Sequence, residues 1–298
     1  MTVSEFKPIR LFVLSTGRSG TKTIAENLSY FPGCVVQHEV NPKLLSEVSG
    51  YLKGTVTHSE LVELLRETRS VDRIGGTYLS GESNQRLSFC IDAINEAFLN
   101  SRYLWLIRDG REVVTSMHHR HWYDSNEDVI REKSLLKWAN TRICADQVGE
   151  MSSSEWSALG AFGRCCWYWS YTNRVIAESA GRLEIAIRQV RLEQLEQEWE
   201  KICLWLGISV TQNMRVKVMN QSSGGKPVPW QSWSRKQRDI FCRYAGSEMD
   251  VFYPDWRENM SPNGLKIISA ATNRSVRAMR DWVARAICPL RKKLRRFF

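Results

Sequence analysis

Two stretches of this 298-residue chain join an apolar run to a glycine turn and cationic side chains, and both have the chemistry of oxyanion binding. The first, Leu11-Phe-Val-Leu-Ser-Thr-Gly-Arg-Ser-Gly-Thr-Lys-Thr23, reads as strand, tight turn and helix start. A helix that opens on a glycine turn aims its free N–H groups and the positive end of its dipole at one point, which suits a phosphate or another oxyanion. Gly17, Ser19 and Gly20 shape the turn, Arg18 and Lys22 add two full charges, and Thr21 and Thr23 offer hydroxyls. The ATPase loop G-x-x-x-x-G-K-[ST] is not present. Placing Lys22-Thr23 on its last two positions puts Thr16 and Thr21 where both glycines belong. A plainer reading competes, in which Ser19 caps a helix and Gly17 fills a turn.

The second stretch, Tyr103-Leu-Trp-Leu-Ile-Arg-Asp-Gly-Arg-Glu-Val-Val-Thr-Ser116, repeats the strand–turn–helix grammar. Arg108 leaves the strand end, where ligands gather in open α/β sheets, and Ser116 sits one or two helical turns further on. An arginine can fork two phosphate oxygens, so Arg108 with a nearby hydroxyl makes a second phosphate clamp. Its plain alternative is an Arg108–Asp109 surface ion pair. His118, His119 and His121 lack a carboxylate or cysteine at ligand spacing, so no metal site is expected.

Together the two stretches resemble the PAPS-dependent sulfotransferase family, in a motif style closest to its glycan- and tyrosylprotein-acting branch. Arg18-Ser19-Gly20-Thr21 is similar to the family's [KR]-S-G-T loop, which holds the donor's 5′-phosphosulfate. Arg108, Asp109, Arg111 and Ser116 match its R-D-x-R-x-x-V-x-S segment, which holds the 3′-phosphate. Arg191-Leu-Glu-Gln-Leu195 resembles the Y-E-x-L segment, with Leu192 where many members have a nucleotide-contacting tyrosine. Gly224-Gly225-Lys226-Pro227 looks like the late glycine–basic loop that closes over the nucleotide. Lys22 replaces the second threonine of the common S-G-T-T, and Glu82-Ser83-Asn84 is a loose match to the acceptor-side E-K-[ST]-P. The likeness covers roughly residues 8–255.

The resemblance implies in-line transfer of a sulfonyl group from PAPS to a hydroxyl, less readily an amine, with no metal. Arg18 and Lys22 would steady the equatorial and leaving oxygens, and one proton must be accepted. The family places its base just after the second strand, which here presents Gln37-His38-Glu39. Glu39 is the first choice and His38 the second, against the plain reading of a capping Glu39 beside a solvent-facing histidine. The donor cradle is then Gly17, Arg18, Ser19, Gly20, Thr21, Lys22, Thr23, Arg108, Ser116, Gly225 and Lys226. The acceptor expected is a glycan, a glycolipid or a small metabolite. Trp167-Tyr-Trp-Ser-Tyr171, and Trp230 with Trp233, are either core or flat surfaces for such an acceptor.

The elements that must position these residues alternate. Leu11–Ser15, Cys34–Gln37, Tyr103–Ile107 and Leu183–Ile187 read as strands. Ser19–Tyr30, 59–69, 84–99, Glu112–His121 and Leu192–Leu206 have helical periodicity. The alternation predicts a three-layer α/β fold with a central parallel sheet, similar to P-loop nucleotide-binding proteins. The domain spans residues 1–265, followed by a tail over 266–298.

Charge separates these two parts. The tail carries ten basic side chains and one acid, a net of +9 out of +10 for the chain, so the body is nearly neutral. No nucleic-acid-binding surface is implied by such a body. In the tail, Val276, Met279, Trp282, Val283, Ala286, Ile287, Leu290, Leu294, Phe297 and Phe298 recur at helical steps. That pattern predicts a basic amphipathic helix, with Pro289 kinking it, that docks on an anionic membrane, the body or a partner. No apolar run approaches a membrane span, and Met1–Pro8 shows no signal pattern. Eight scattered cysteines without C-x-x-C are expected to be reduced core thiols, in a cytoplasmic protein peripheral to a membrane through its tail. Two rival functions use the same features: a phosphotransferase with Asp109 on magnesium, and a non-enzymatic module that binds membrane or polyanion through the tail.

Overall fold

The computed structural model describes residues 8–69, 77–124, 140–209, 216, 228–258 and 260. Among these residues five strands form one sheet in the order β2-β3-β1-β4-β5, and every pair is parallel. They are β1 (Ile9–Leu14), β2 (Cys34–His38), β3 (Leu79–Ser83), β4 (Arg102–Ile107) and β5 (Ala186–Arg191). The helices are α1 (Thr21–Ser29), α2 (Leu45–Leu52), α3 (His58–Arg69), α4 (Ile91–Ala97), α5 (Gly110–His119), α6 (Ser153–Leu183), α7 (Leu195–Trp205) and α8 (Arg235–Phe252).

A central parallel strand is buried on both faces, so it reads as a continuous apolar run. Accordingly Phe12 and Leu14 of β1 join Tyr103, Trp105 and Ile107 of β4 in one core, with residues of α2 to α6 and α8. Leu11, Val13, Leu104 and Leu106 face the other way, against Ile24 and Leu28 of α1 and Trp199 and Ile202 of α7. The sheet is therefore covered on both faces, as the sequence pattern predicted.

The sequence reading did not name α2, α6 or α8, and three further elements depart from it. β3 is Leu-Ser-Gly-Glu-Ser, a central strand with almost no apolar signal. Its Gly81 lies so close to β1 that a Cβ there would come within 2.5 Å of the Leu11 carbonyl oxygen. The strand expected at Leu183–Ile187 begins at Ala186, because α6 runs through Leu183. Within the stretch expected to be helical over 84–99, a 3-10 turn at Gln85–Phe89 precedes α4. The basic tail over 266–298 lies outside the described residues. No helix among the described residues is long and apolar enough to cross a membrane. Seven of the eight cysteines are described, all are free thiols, and five are buried.

Candidate functional site

The chain leaves β1 toward the α1 face and leaves β4 toward the α5 face, so the carboxyl ends of these neighbours form a topological switch point. Crevices at such points are where open α/β sheets take ligands. Both motif turns meet there. The Arg108 Nη1 donates to the Arg18 carbonyl at 2.9 Å, and the Arg18 Nε donates to the Ser116 Oγ at 3.1 Å. Residues 90 positions apart are thus joined directly across the sheet edge.

The first turn is shaped by left-handed backbone at Gly17 (φ 73°), Arg18 (φ 54°) and Gly20 (φ 79°). At this φ a side chain on Gly17 would be strained, and its Cβ would sit 1.7 Å from the Gln85 Oε1, forcing that amide to move. Ser19 turns inward, its Oγ donating to the Gly17 carbonyl at 3.0 Å and lying 3.0 Å from the Thr16 Oγ1, so it braces the loop. Gly20 is the N-cap of α1 and supplies no side-chain cap, and the first turn carries no acid. The helix start is therefore left electropositive. Lys22 pairs with Glu26 at 3.4 Å and is 42% exposed, while Thr21 and Thr23 are buried.

Burial and the neighbouring Arg120 and Arg108 push the Arg18 pKa down to about 10. The guanidinium remains charged at neutral pH, and crowding of like charges is relieved by an anion. The alternative Arg108–Asp109 ion pair does not form. Asp109 instead caps α5 and binds Arg111, through Oδ1 to the backbone N–H at 2.9 Å and through Oδ2 to Nη2 at 2.6 Å. Arg108 reaches Glu112 at 3.4 Å. Arg111 is buried over the Trp230 ring at 4.2 Å, which makes it a brace for α5.

The second strand delivers His38 and Glu39 to the same cleft. Glu39 is held at φ 51°, its N–H donating to the Ser83 carbonyl at 3.0 Å, and its Oε2 accepts from the Lys43 Nζ at 2.9 Å. His38 Nδ1 lies 3.0 Å from the Ser83 carbonyl oxygen, which can only accept. A neutral His38 therefore carries its proton on Nδ1, and its Nε2 lies 3.9 Å from the Glu39 Oε1. Beneath this loop, the Arg69 Nε donates to the Glu82 Oε2 at 2.6 Å in a fully buried ion pair. Arg69 also donates to the Val40 and Pro42 carbonyls, and Glu82 accepts from the Val40 N–H, so the pair fixes the segment carrying Glu39.

The cleft has a volume of about 760 Å³ and takes in Gly17, Arg18, Gly20, Thr21, Lys22, Thr23, His38, Glu39 and Arg108. Ser19 and Ser116 stand behind it as supports. Gly225 and Lys226 lie outside the described residues. Sequence reasoning missed Gln85, Arg120, Trp122, Arg142 and Glu193 on its walls. Of these only Arg120 and Trp122 had a local signal, as a cation and an aromatic just beyond α5.

The three histidines beyond Met117 point elsewhere. His118 packs edge-on to Phe162 at 5.5 Å, and His121 reaches Asp124 at 3.1 Å. Among the described residues no group of three or more His, Cys, Asp or Glu side chains could hold a metal. Trp167, Tyr168, Trp169 and Tyr171 are core, as is Trp233.

Fold and site together define a doubly wound parallel α/β protein with a cationic cleft at its switch point. No family model and no curated protein matches the sequence. Among solved structures, the chain is similar to the sulfotransferase domain from the curacin biosynthetic pathway, at 15% identity and a TM-score of 0.41, over 69% of this chain and 76% of that one. A sulfotransferase from Alicyclobacillus acidocaldarius aligns at 13% identity and a TM-score of 0.45, over 86% of this chain and 97% of that one. A mouse sulfotransferase complexed with PAP aligns at 13% identity and a TM-score of 0.35, over 95% and 88%. At these scores the likeness decides nothing about the site, which has to be read from its own residues.

Proposed function

We propose that the protein is a PAPS-dependent sulfotransferase, acting on a hydroxyl of a glycan, glycolipid or small metabolite. The observation that carries this reading is the Arg18–Ser116–Arg108 link. The two loops with the family's spacing are not merely both present but meet at one sheet edge, each arginine bonded to the other's segment. The electropositive start of α1, free of acids, suits the 5′-phosphosulfate, and Arg108 suits the 3′-phosphate. A volume of about 760 Å³ is in the range of nucleotide-sized sites.

The donor supplies an activated S–O bond, broken as the acceptor oxygen bonds to sulfur, with adenosine 3′,5′-bisphosphate (PAP) leaving. Lys22 and the α1 N–H groups stabilise charge that builds on the leaving phosphate oxygen, and Arg18 does so on the equatorial oxygens. Glu39, one strand away in the same cleft, takes the acceptor proton. A second assignment of the base has an observation of its own: His38 lines the same cleft, and a neutral imidazole that donates Nδ1–H to the Ser83 carbonyl would present Nε2 as acceptor.

The phosphotransferase reading is disfavoured by Asp109, because both of its carboxylate oxygens are taken by Arg111. A transfer screen with sulfur-labelled PAPS, against polysaccharide and lipid extracts, tests the proposal. Label appearing in an extract component, dependent on Arg18, is expected. Label transfer without Arg18, or magnesium-dependent ATP turnover, contradicts it.

A further inference from the structure

The cleft has a second cationic end that the donor chemistry does not use. Arg142 lines it together with His38 and Glu39. Its guanidinium lies over the Trp122 indole at 4.4 Å from the ring centroid, with Tyr123 at 5.7 Å. The Nε is buried with no acceptor, and among the described residues no carboxylate pairs with Arg142. Of the other cations on the cleft, Arg18 bonds Ser116, Arg108 reaches Glu112 and Lys22 pairs with Glu26, while Arg120 is exposed to solvent.

The position of Arg142 is set from both sides. Trp122 abuts the phosphate loop, since a Cβ on Gly17 would lie 3.2 Å from the Trp122 Cη2. Buried Arg86 is within electrostatic reach of Glu39, and Arg142 is within reach of Arg86. The stacked guanidinium thus lines the same cleft as the phosphate loop and Glu39, held by the indole that abuts Gly17. Stacking on an indole fixes the plane of a guanidinium and leaves its edge donors for a planar or tetrahedral anion. Among the described residues no carboxylate neutralises this charge, so an anion in the cleft would find in Arg142 an oriented, unpaired cation.

We propose that Arg142, seated on Trp122, binds an anionic group of the acceptor, so that the sulfonated molecule carries a carboxylate, sulfate or phosphate near its reacting hydroxyl. The proposal rests on the sulfotransferase reading for the word acceptor, but the anion subsite is measurable without it.

The test is calorimetric titration of the protein, saturated with PAP, with sodium sulfate and separately with sodium acetate, at ionic strength held constant with chloride. One anion beyond PAP is expected to bind the wild type, and Arg142→Gln should weaken it at least tenfold with PAP affinity unchanged. The tighter of sulfate and acetate identifies the class of anionic group. Arg142→Lys keeps charge and bulk but loses the fork, and should give a several-fold loss even where the glutamine variant fails to fold. No anion binding by the wild type overturns the proposal, as does equal binding by both variants. So does a site lost in Lys22→Ala but kept in Arg142→Gln, because that is the vacated sulfonate position. Should PAP itself not bind, the sulfotransferase reading fails, and the same Arg142-dependent loss is then sought on the free protein.

Discussion

Replacing Glu82 by glutamine should destabilise the protein far more than its conservative shape suggests. Glu82 and Arg69 are paired at 2.6 Å with side chains only 4% and 3% exposed. Removing one charge leaves the other buried and uncompensated, which costs about 3–5 kcal/mol. Glutamine can still accept from the Val40 N–H and from Arg69, so the lower end, about 3 kcal/mol, is expected. For a chain of 298 residues that is a drop of roughly 5 °C in melting temperature. Urea unfolding followed by tryptophan fluorescence measures it, with Arg69→Met and the double variant completing a cycle. The double variant should cost less than the sum of the singles by about 0.5–3 kcal/mol, since neither charge is then orphaned. The pair also anchors the Val40 and Pro42 carbonyls beside Glu39, so turnover should fall while donor affinity holds. A loss below about 1 kcal/mol for Glu82→Gln, or simple additivity in the cycle, would refute the reasoning.

Arg18→Ala should lower turnover by about 10²–10³ at saturating donor, as expected for one charge-stabilising group, and near-normal steady-state turnover would remove it from the site. Glu39→Gln should cost about 10²–10⁴ in rate with PAP affinity unchanged by calorimetry, whereas an active Glu39→Gln beside an inactive His38→Ala would transfer the role of base to His38. The Arg18 pKa of about 10 lies below its unfolded value, so the penalty of charging it is present in full at neutral pH and relaxes as pH rises through 10. Loss of that charge removes an anion contact, so PAP affinity should be level from about pH 7 to 9 and decline toward 10; affinity that stays level through pH 10 would remove Arg18 from the donor contacts.

What the sequence made legible was local grammar. β1 and β4 are continuous apolar runs ending in glycine turns, and such runs announce a buried parallel strand together with the loop behind it. Arg18, Lys22, Arg108 and Ser116 could therefore be named from the residues that follow those runs, whereas Glu39 was named only through the family resemblance. β3 was not legible, because its specificity lies in the small Gly81 against β1 and in the Glu82–Arg69 pair, neither of which leaves a periodic trace. β5, Ala-Ile-Arg-Gln-Val-Arg, is an edge strand only partly buried, and its polar residues blur the boundary with α6. Gln85, Trp122 and Arg142 reach the cleft from three separate segments, so only the tertiary fold brings them to Gly17 and Glu39. The aromatic run at Trp167–Tyr171 illustrates the converse: a conspicuous pattern that serves the core.

The central claim is that one cleft holds a nucleotide by two separate phosphate clamps. Calorimetry of PAP against adenosine 5′-phosphate, on wild type and Arg108→Ala, tests it most directly. Because only PAP carries the 3′-phosphate, Arg108→Ala should weaken PAP by roughly tenfold to a hundredfold, the value of a charge-assisted contact. Adenosine 5′-phosphate should change by no more than about twofold. Equal weakening of both ligands, or no binding of PAP by the wild type, would contradict the account.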